Sequence, residues 1–326
     1  MLSKVLKPLL NLSVEDFPRL AKQQFGDLPE MDGAWPHFKP PSHAILDNFW
    51  ATLDNPKLPD VLEMVQAYPP KDRGVAYEGA AMAVTLLDFL LPYKKRLHEL
   101  LDGPCGPYRP MVYVGAGMIL PFIPLNAHRL VNRFDDDARW FILDGYGFLQ
   151  CFFHARECLD RQWRPDGLNA EAARNFDSGV GRSLYFLSAA NPTRIARVLS
   201  RFDEPRRSDL WGGVGLACGY TGGALDHDGF RQMRTAAAGH AAEVAVGLAV
   251  AACFRDQTNH PADHTDGACD VFWSMDSAEV ARFVTSDPVR RYPGPSGPDY
   301  EPWRQHLKRL WTAQQDGVSI PMKGLA

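Results

Sequence analysis

Glycines that each begin a run of apolar residues recur at nearly regular intervals through the middle of the chain. They stand at Gly117, Gly147, Gly181, Gly215 and Gly247, so successive members are 30, 34, 34 and 32 residues apart. The apolar residues that follow them have helical spacing, and the alternation typical of strands is nearly absent. A period near 33 is typical of two-helix repeats, in which a glycine lets neighbouring helices approach closely. The recurrence predicts a mainly α fold built as an array of helical hairpins similar to tetratricopeptide repeats. An irregular helical bundle is the alternative.

Proline-rich stretches delimit this helical body. Prolines are frequent in the first 70 residues, and only short helices are expected there, because proline lacks an N–H and disrupts helix interiors. A second proline- and glycine-rich stretch begins at Ser286, and beyond it Trp303, Leu307, Leu310 and Trp311 fall on one helical face. We predict a proline-rich N-terminal arm or cap over residues 1–70, a helical repeat body over 71–285, and a linker with a C-terminal amphipathic helix over 286–326.

Composition excludes several classes of protein. The net charge of -4 gives no basic surface, so no nucleic-acid partner is expected. The most apolar stretch, from Ala241 to Phe254, is shorter than the roughly 20 residues that span a bilayer, which predicts a buried core helix. The six cysteines form no C-x-x-C pair and are expected to be reduced. These features predict a soluble, cytoplasmic protein.

Three polar residues fall within apolar helical stretches, where they could line an internal cavity. They are Glu78, His154 and Arg182. A charge inside an apolar helix face needs a partner, because burying it unpaired is costly. We therefore predict an ion pair of Arg182 with either Glu78 or Asp177, and such a structural pair is the alternative to an active site.

Two histidines have a spacing that suits metal binding. His260 and His264 are four residues apart, so they would present two imidazoles to one ion if both lay on a helix. Pro261 lies between them, however, and the glutamate of a metalloprotease motif is missing. We expect no metal and no other cofactor. The candidate catalytic residues are Glu78, His154, Asp177, Arg182 and His264.

Five motifs follow one another along the chain. They are YEGAAMAVTLLD (Tyr77 to Asp88), LDGYGFLQCFFH (Leu143 to His154), FDSGVGRSLYF (Phe176 to Phe186), DLWGGVGLACGYTGG (Asp209 to Gly223) and NHPADHTDGAC (Asn259 to Cys269). Together they resemble the UnbL-type proteins, a family of unknown function found in enediyne gene clusters. The resemblance extends from about Leu10 to about Val284.

This resemblance implies an accessory role beside an iterative polyketide synthase, in converting a nascent conjugated polyene to an enediyne core. The implied partners are an apolar conjugated polyketide and other proteins of the gene cluster, including membrane proteins that would recruit this cytoplasmic protein to a membrane. The resemblance implies no catalytic residue, and whether the protein is an enzyme stays open. The alternative function is a non-catalytic helical-repeat scaffold that binds partner proteins through a concave surface and its terminal helix.

Overall fold

The chain is helical throughout the part that the computed structural model describes, which is residues 2–10, 12–103, 105–285 and 300–317. These residues form seventeen α-helices and no strand, so the predicted mainly α fold is confirmed. The helices are α1 Leu2–Leu10, α2 Asp16–Phe25, α3 Met31–Asp54, α4 Leu58–Gln66, α5 Arg73–Leu90, α6 Arg96–Asp102, α7 Arg109–Met118, α8 Ala127–Val131, α9 Phe141–Phe153, α10 Ala170–Leu187, α11 Pro192–Leu199, α12 Glu204–Ala217, α13 His227–Ala237, α14 Ala241–Gln257, α15 Asp263–Trp273, α16 Ser277–Thr285 and α17 Tyr300–Gln315.

The core is a row of helices in which α3, α5, α7, α9, α10, α12, α14 and α16 pack in that order, each against the next. Glycines lie where these helices cross. Gly147 of α9 lies against the Phe176 carbonyl of α10, and Gly179 of α10 lies against the Asp144 carbonyl of α9, so that a Cβ at either glycine would overlap backbone. Three other pairs of glycines have the same arrangement, in which each glycine of the pair lies against a backbone carbonyl of the helix that carries the other. These pairs are Gly117 with Gly145, Gly181 with Gly213, and Gly215 with Gly247. The recurring glycines are therefore close-packing positions, whereas the tetratricopeptide-like hairpin array stays a prediction.

The segment that precedes α5 contacts α14, although these two helices are not neighbours in the row. Arg255, near the end of α14, donates from Nη1 to the carbonyl oxygen of Lys71 just before α5, at 2.8 Å. Helix α3 also contacts the π-helical turn Cys218–Gly222 that follows α12. Helix α3 therefore lies against both α5 and the turn that follows α12.

Helix α3 corrects the expectation that the first 70 residues hold only short helices. It is 24 residues long and continues through Pro36, Pro40 and Pro41. Pro36 and Pro40 are on its exposed side, so the hydrogen bonds that proline removes are lost where solvent can replace them. Buried Phe38 and Phe49 hold the opposite side against the core. Apolar packing of this face outweighs the local cost of the prolines.

The predicted core helix from Ala241 to Phe254 lies within α14, where almost every residue is buried. In the described residues, the helical stretch His227–Gln257 has the length and apolar character to cross a membrane, yet 78% of its apolar window is buried in the fold. Core helices of soluble proteins share these properties. All six cysteines are buried and free.

The C-terminal amphipathic segment forms α17 and packs against α14 of its own chain. Trp303, Leu307 and Leu310 are buried there, and Arg304 pairs with Asp209 of α12 at 3.2 Å. The apolar face of this helix is therefore covered within the molecule. Most of the predicted proline-rich linker, residues 286–299, lies outside the described residues.

Candidate functional site

Three adjoining cavities lie in a row beneath α3, and we call them together the α3 cleft. The inner cavity has a volume of about 70 Å³, the middle cavity about 40 Å³ and the outer cavity about 340 Å³. Phe17 and Phe148 belong to the walls of both the inner and the middle cavity. Val75 and Thr221 belong to the walls of both the middle and the outer cavity. The cleft thus runs from an apolar end to a polar one.

The inner cavity is lined almost entirely by apolar and aromatic side chains. Its walls include Phe17, Ile45, Met82, Met118, Phe148 and Phe152. The ring centroids of Phe17 and Phe152 are 5.0 Å apart, a separation at which aromatic rings attract each other. Methionine side chains adapt to irregular shapes and contact aromatic surfaces favourably. This end suits the hydrocarbon part of a ligand.

The wall of the middle cavity includes Arg182, which forms a buried ion pair. Arg182 of α10 donates from Nη1 to Asp144 of α9, and the Ser178 hydroxyl donates to the other oxygen of that carboxylate at 2.8 Å. The Arg182 guanidinium also lies over the Phe148 ring, with its central carbon 5.0 Å from the ring centroid. A partner within the apolar interior is what a buried arginine requires, and the cation–π contact holds its plane beside the cavity.

Glu78 of α5 faces this ion pair across the middle cavity. Glu78 is only 2% exposed, and its carboxyl makes no hydrogen bond or ion pair with the described part of the chain. Burial raises the pKa of its carboxyl to about 7, with the Asp144 charge adding to the rise and the Arg182 charge opposing it. A carboxyl with such a pKa exchanges protons near neutral pH, which is the property of a general acid or base.

The outer cavity is built around the π-helical turn Cys218–Gly222. π-Helical turns leave backbone carbonyls without their usual helical partners and are frequent at functional sites. Here side chains supply the partners, since Thr265 donates to the Gly219 carbonyl at 2.6 Å and Arg255 donates to the Tyr220 carbonyl. His264 Nε2 also lies 3.4 Å from the Tyr220 oxygen. The turn therefore places Arg255 and His264 side by side in the cavity wall.

His264 is uncharged at neutral pH in this setting. Burial, together with the nearby Arg255 charge, lowers its pKa to about 4, against the opposing effect of the Tyr220 carbonyl. Since a carbonyl oxygen only accepts hydrogen bonds, the geometry favours the tautomer with a proton on Nε2, which leaves Nδ1 as an acceptor.

The structure brings three of the five sequence candidates to the α3 cleft. Glu78 and Arg182 share the middle cavity, and His264 lies in the outer one. His154 does not share their cavity, because α9 ends at Phe153 and His154 follows as an exposed residue in the wall of a separate cavity of about 180 Å³. Asp177 is buried on α10 but faces α12.

The predicted ion pairs of Arg182 are also corrected. Its partner is Asp144, and neither Glu78 nor Asp177 forms a salt bridge with it. Asp177 pairs instead with Arg206 at 2.7 Å and with Arg164 at 3.2 Å. Burial raises the pKa of Asp177, and these two guanidinium groups oppose the rise. This cluster ties α10 to α12 away from the cleft.

Sequence reasoning missed Asp144 and Arg255 as members of the site. Asp144 stands within the apolar run FILDGYGF, and a lone carboxylate in such a run signals a buried ion pair. Arg255 ends the apolar helix α14, where a basic residue is more simply explained by the negative end of the helix dipole. Its contacts with Lys71 and Tyr220 could not be predicted from this local pattern, because those residues are distant in the sequence.

No metal centre is evident among the described residues, where no group of three His, Cys, Asp or Glu side chains lies close enough together to hold an ion. The His260 and His264 pair lacks a third ligand of that kind. Asp136, from the acidic run that precedes α9, is held by Arg109 at 2.9 Å and by the Tyr113 hydroxyl at 2.8 Å. It therefore has a structural role.

Comparison with known proteins identifies a family but no characterised relative. A family model described as "Protein of unknown function (DUF1702)" matches residues 34–310, which is most of the chain. The matched range contains all residues that line the outer cavity, and all that line the middle cavity except Phe17. No curated protein and no solved structure matches the chain.

Proposed function

We propose that this chain, which belongs to the DUF1702 family of proteins of unknown function, binds a long apolar conjugated molecule in the α3 cleft and acts on it by proton transfer. The class of ligand follows the resemblance to enediyne-associated proteins, whose substrate would be a nascent polyene. In this proposal the protein is an accessory component of enediyne-type polyketide maturation.

The observation that carries the proposal is the state of Glu78. A carboxyl that is almost completely buried, without a hydrogen-bond partner in the described chain, is unfavourable for folding. Such a group is typical of a site that is completed by a ligand. Glu78 is also placed where the apolar part of the cleft meets its polar part, so a polyene in the inner cavity would present its first polar atoms there.

The neighbouring ion pair could stabilise the charge that develops on the ligand during proton transfer. When Glu78 removes a proton from a carbon next to a carbonyl or a polyene, negative charge develops on the ligand. Arg182 stays charged at all physiological pH values, and its positive charge would stabilise that developing charge within a low-dielectric cleft. Asp144 and Ser178 fix the guanidinium in place, so they would act as positioning residues.

The scaffold alternative loses one of its two motivating features. The terminal helix α17, which was the expected docking element, has its apolar face buried on α14. Binding of cluster-encoded proteins, and recruitment to a membrane by one of them, remain part of the proposal as further partners of a cytoplasmic protein.

A complementation experiment tests the proposal. The gene is replaced in a producing host by Glu78→Gln, and by Glu63→Gln as a matched control on the exposed surface of α4. We expect the control to sustain production of the polyene-derived core. Glu78→Gln should reduce it about 100-fold or more, the usual effect of removing a general acid or base.

Native mass spectrometry of the same variants separates binding from chemistry. Protein purified from the host should carry a polyene, and Glu78→Gln should retain or accumulate it. Normal core production by Glu78→Gln would refute the proton-transfer role. Absence of any bound small molecule in all variants would refute the cleft as a ligand site.

A further inference from the structure

We infer that the outer cavity binds the carboxylate end of the ligand, with Arg255 as the residue that recognises it. The inference rests on the proposed function, because it gives an orientation to the molecule in the α3 cleft. The carboxylate would lie in the outer cavity, and the hydrocarbon would extend past Glu78 into the inner cavity.

Arg255 carries the argument because it is a buried cation whose described hydrogen bonds all go to neutral acceptors. It is only 5% exposed, yet it forms no ion pair with a carboxylate in the described part of the chain. Its Nη1 and Nη2 donate to the carbonyl oxygens of Lys71 and Tyr220, which are neutral acceptors. Its Nε is buried without a hydrogen-bond partner. A guanidinium has further N–H groups beyond those two bonds, arranged as a fork that matches a carboxylate.

The guanidinium is held rigidly before any ligand binds. It lies over the Tyr220 ring, with its central carbon 4.6 Å from the ring centroid, and the two carbonyls fix its plane. A donor that is already oriented loses less conformational entropy when it binds an anion. Arg255 also lines the outer cavity, which is the space that this end of the ligand would occupy.

The other groups around the outer cavity bring charges of both signs. Lys71 adds one positive charge, whereas Asp72 and Asp263 bring two carboxylates to the same wall. His37 also belongs to this wall, and His264 is uncharged at neutral pH. Arg255 and Lys71 attract an anion, and the planar fork of the guanidinium matches the two oxygens of a carboxylate.

The middle cavity is a poor place for that carboxylate. Its one arginine is already neutralised by Asp144, and a second acid, Glu78, faces it. A ligand carboxylate there would meet two carboxyl groups for one guanidinium. Among the described residues of the cleft, Arg255 is the buried arginine without a salt bridge, and this difference gives the ligand its direction.

Ligand binding to the full-length protein tests this inference. The probes are cis-parinaric acid, a conjugated fluorescent fatty acid, and its methyl ester, both titrated at neutral pH. We expect the ester to bind about tenfold or more weakly, the effect of losing hydrogen bonds to a charged group. In Arg255→Gln the two probes should bind within about twofold of each other. The matched control, Arg231→Gln on the exposed face of α13, should keep the preference for the acid.

Each outcome is decisive for one proposal or the other. Equal binding of acid and ester to the wild-type protein overturns the carboxylate site and leaves the cleft proposal standing. A preference for the acid that survives in folded Arg255→Gln places the carboxylate elsewhere and also overturns it. If neither probe binds, the cleft proposal fails and this inference with it. Should Arg255→Gln not fold, the comparison of acid with ester on the wild-type protein decides.

Discussion

Replacement of Glu78 by glutamine should remove a large pH dependence from the stability of the protein. Burial raises the pKa of this carboxyl from 4.5 to about 7, with Asp144 contributing and Arg182 opposing. In the unfolded chain the same carboxyl releases its proton at its ordinary pKa. Between those two values the folded state therefore holds a proton that the unfolded state has lost.

The difference between the folded and unfolded pKa values sets the sign and the size of the change in unfolding free energy with pH. Because the folded pKa is the higher one, the contribution of Glu78 is least unfavourable below pH 4.5, and stability falls as the pH rises to about 7. The whole shift corresponds to about 3 kcal/mol of unfolding free energy. Glutamine has a similar shape and does not ionise. The variant should therefore gain stability over the wild type as the pH rises.

Urea unfolding measures this effect at pH 5 and pH 8, followed by circular dichroism and tryptophan fluorescence. The difference in unfolding free energy between Glu78→Gln and wild type should grow by about 2–3 kcal/mol between the two pH values. Glu63→Gln, on the exposed side of α4, should track the wild type at both. If the Glu78→Gln and wild-type curves ran parallel, Glu78 would titrate as an ordinary carboxyl, and its assignment as a proton-exchanging group would fall.

Three further perturbations test the packing that supports the cleft. Gly179→Ala should destabilise the protein by about 3 kcal/mol, because the new methyl group meets backbone of α9; Gly33→Ala, where nothing lies near the added atom, should be neutral or slightly stabilising in thermal unfolding. Arg182→Met should cost about 3–5 kcal/mol in denaturant titration, since it leaves a buried carboxylate without its ion-pair partner, and a loss under about 1 kcal/mol would mean that the pair is not formed. Trp303→Ala should cost about 3–5 kcal/mol and expose α17 to limited proteolysis, whereas Arg309→Ala on the exposed side of the same helix should leave the digestion pattern unchanged.

The features that could be predicted from the sequence are those set by local physics. Helical spacing of apolar residues gives the mainly α fold, and the most apolar stretch becomes the buried core of α14. The amphipathic face with Trp303 and Leu307 becomes a buried helix surface. Each of these depends on residues within a few turns of one another, so the pattern and its consequence lie in the same segment.

The pairing of buried charges could not be predicted from the sequence in the same way. Arg182 had candidate partners on two helices, and which carboxylate meets it depends on the axial offset between neighbours in the core row. Asp144 and Arg182 are far apart in the sequence but adjacent across the interface of α9 and α10. Similarly, Arg255 meets the Lys71 carbonyl only because α14 contacts the segment before α5, although the two residues are 184 positions apart in the sequence. Apolar periodicity contains no information on such offsets.

The recurring glycines link the local sequence pattern to the pairing of buried charges, because they set how closely the helices of the cleft approach each other. Gly179 lies against the carbonyl of Asp144 itself, with Ser178 and Arg182 on the same helix reaching the carboxylate of that residue. A larger residue at position 179 would push α10 away from α9, lengthening both contacts and freeing the guanidinium that faces Glu78. Gly179→Ala should therefore lower the pKa of Glu78 as well as the stability, since water would enter the middle cavity and reduce the desolvation of its carboxyl. The protonated-carboxyl band in infrared spectra recorded against pH, with Glu78→Gln for assignment, would show this shift. An unchanged titration in a destabilised Gly179→Ala protein would mean that helix spacing and the charge state of the cleft are independent.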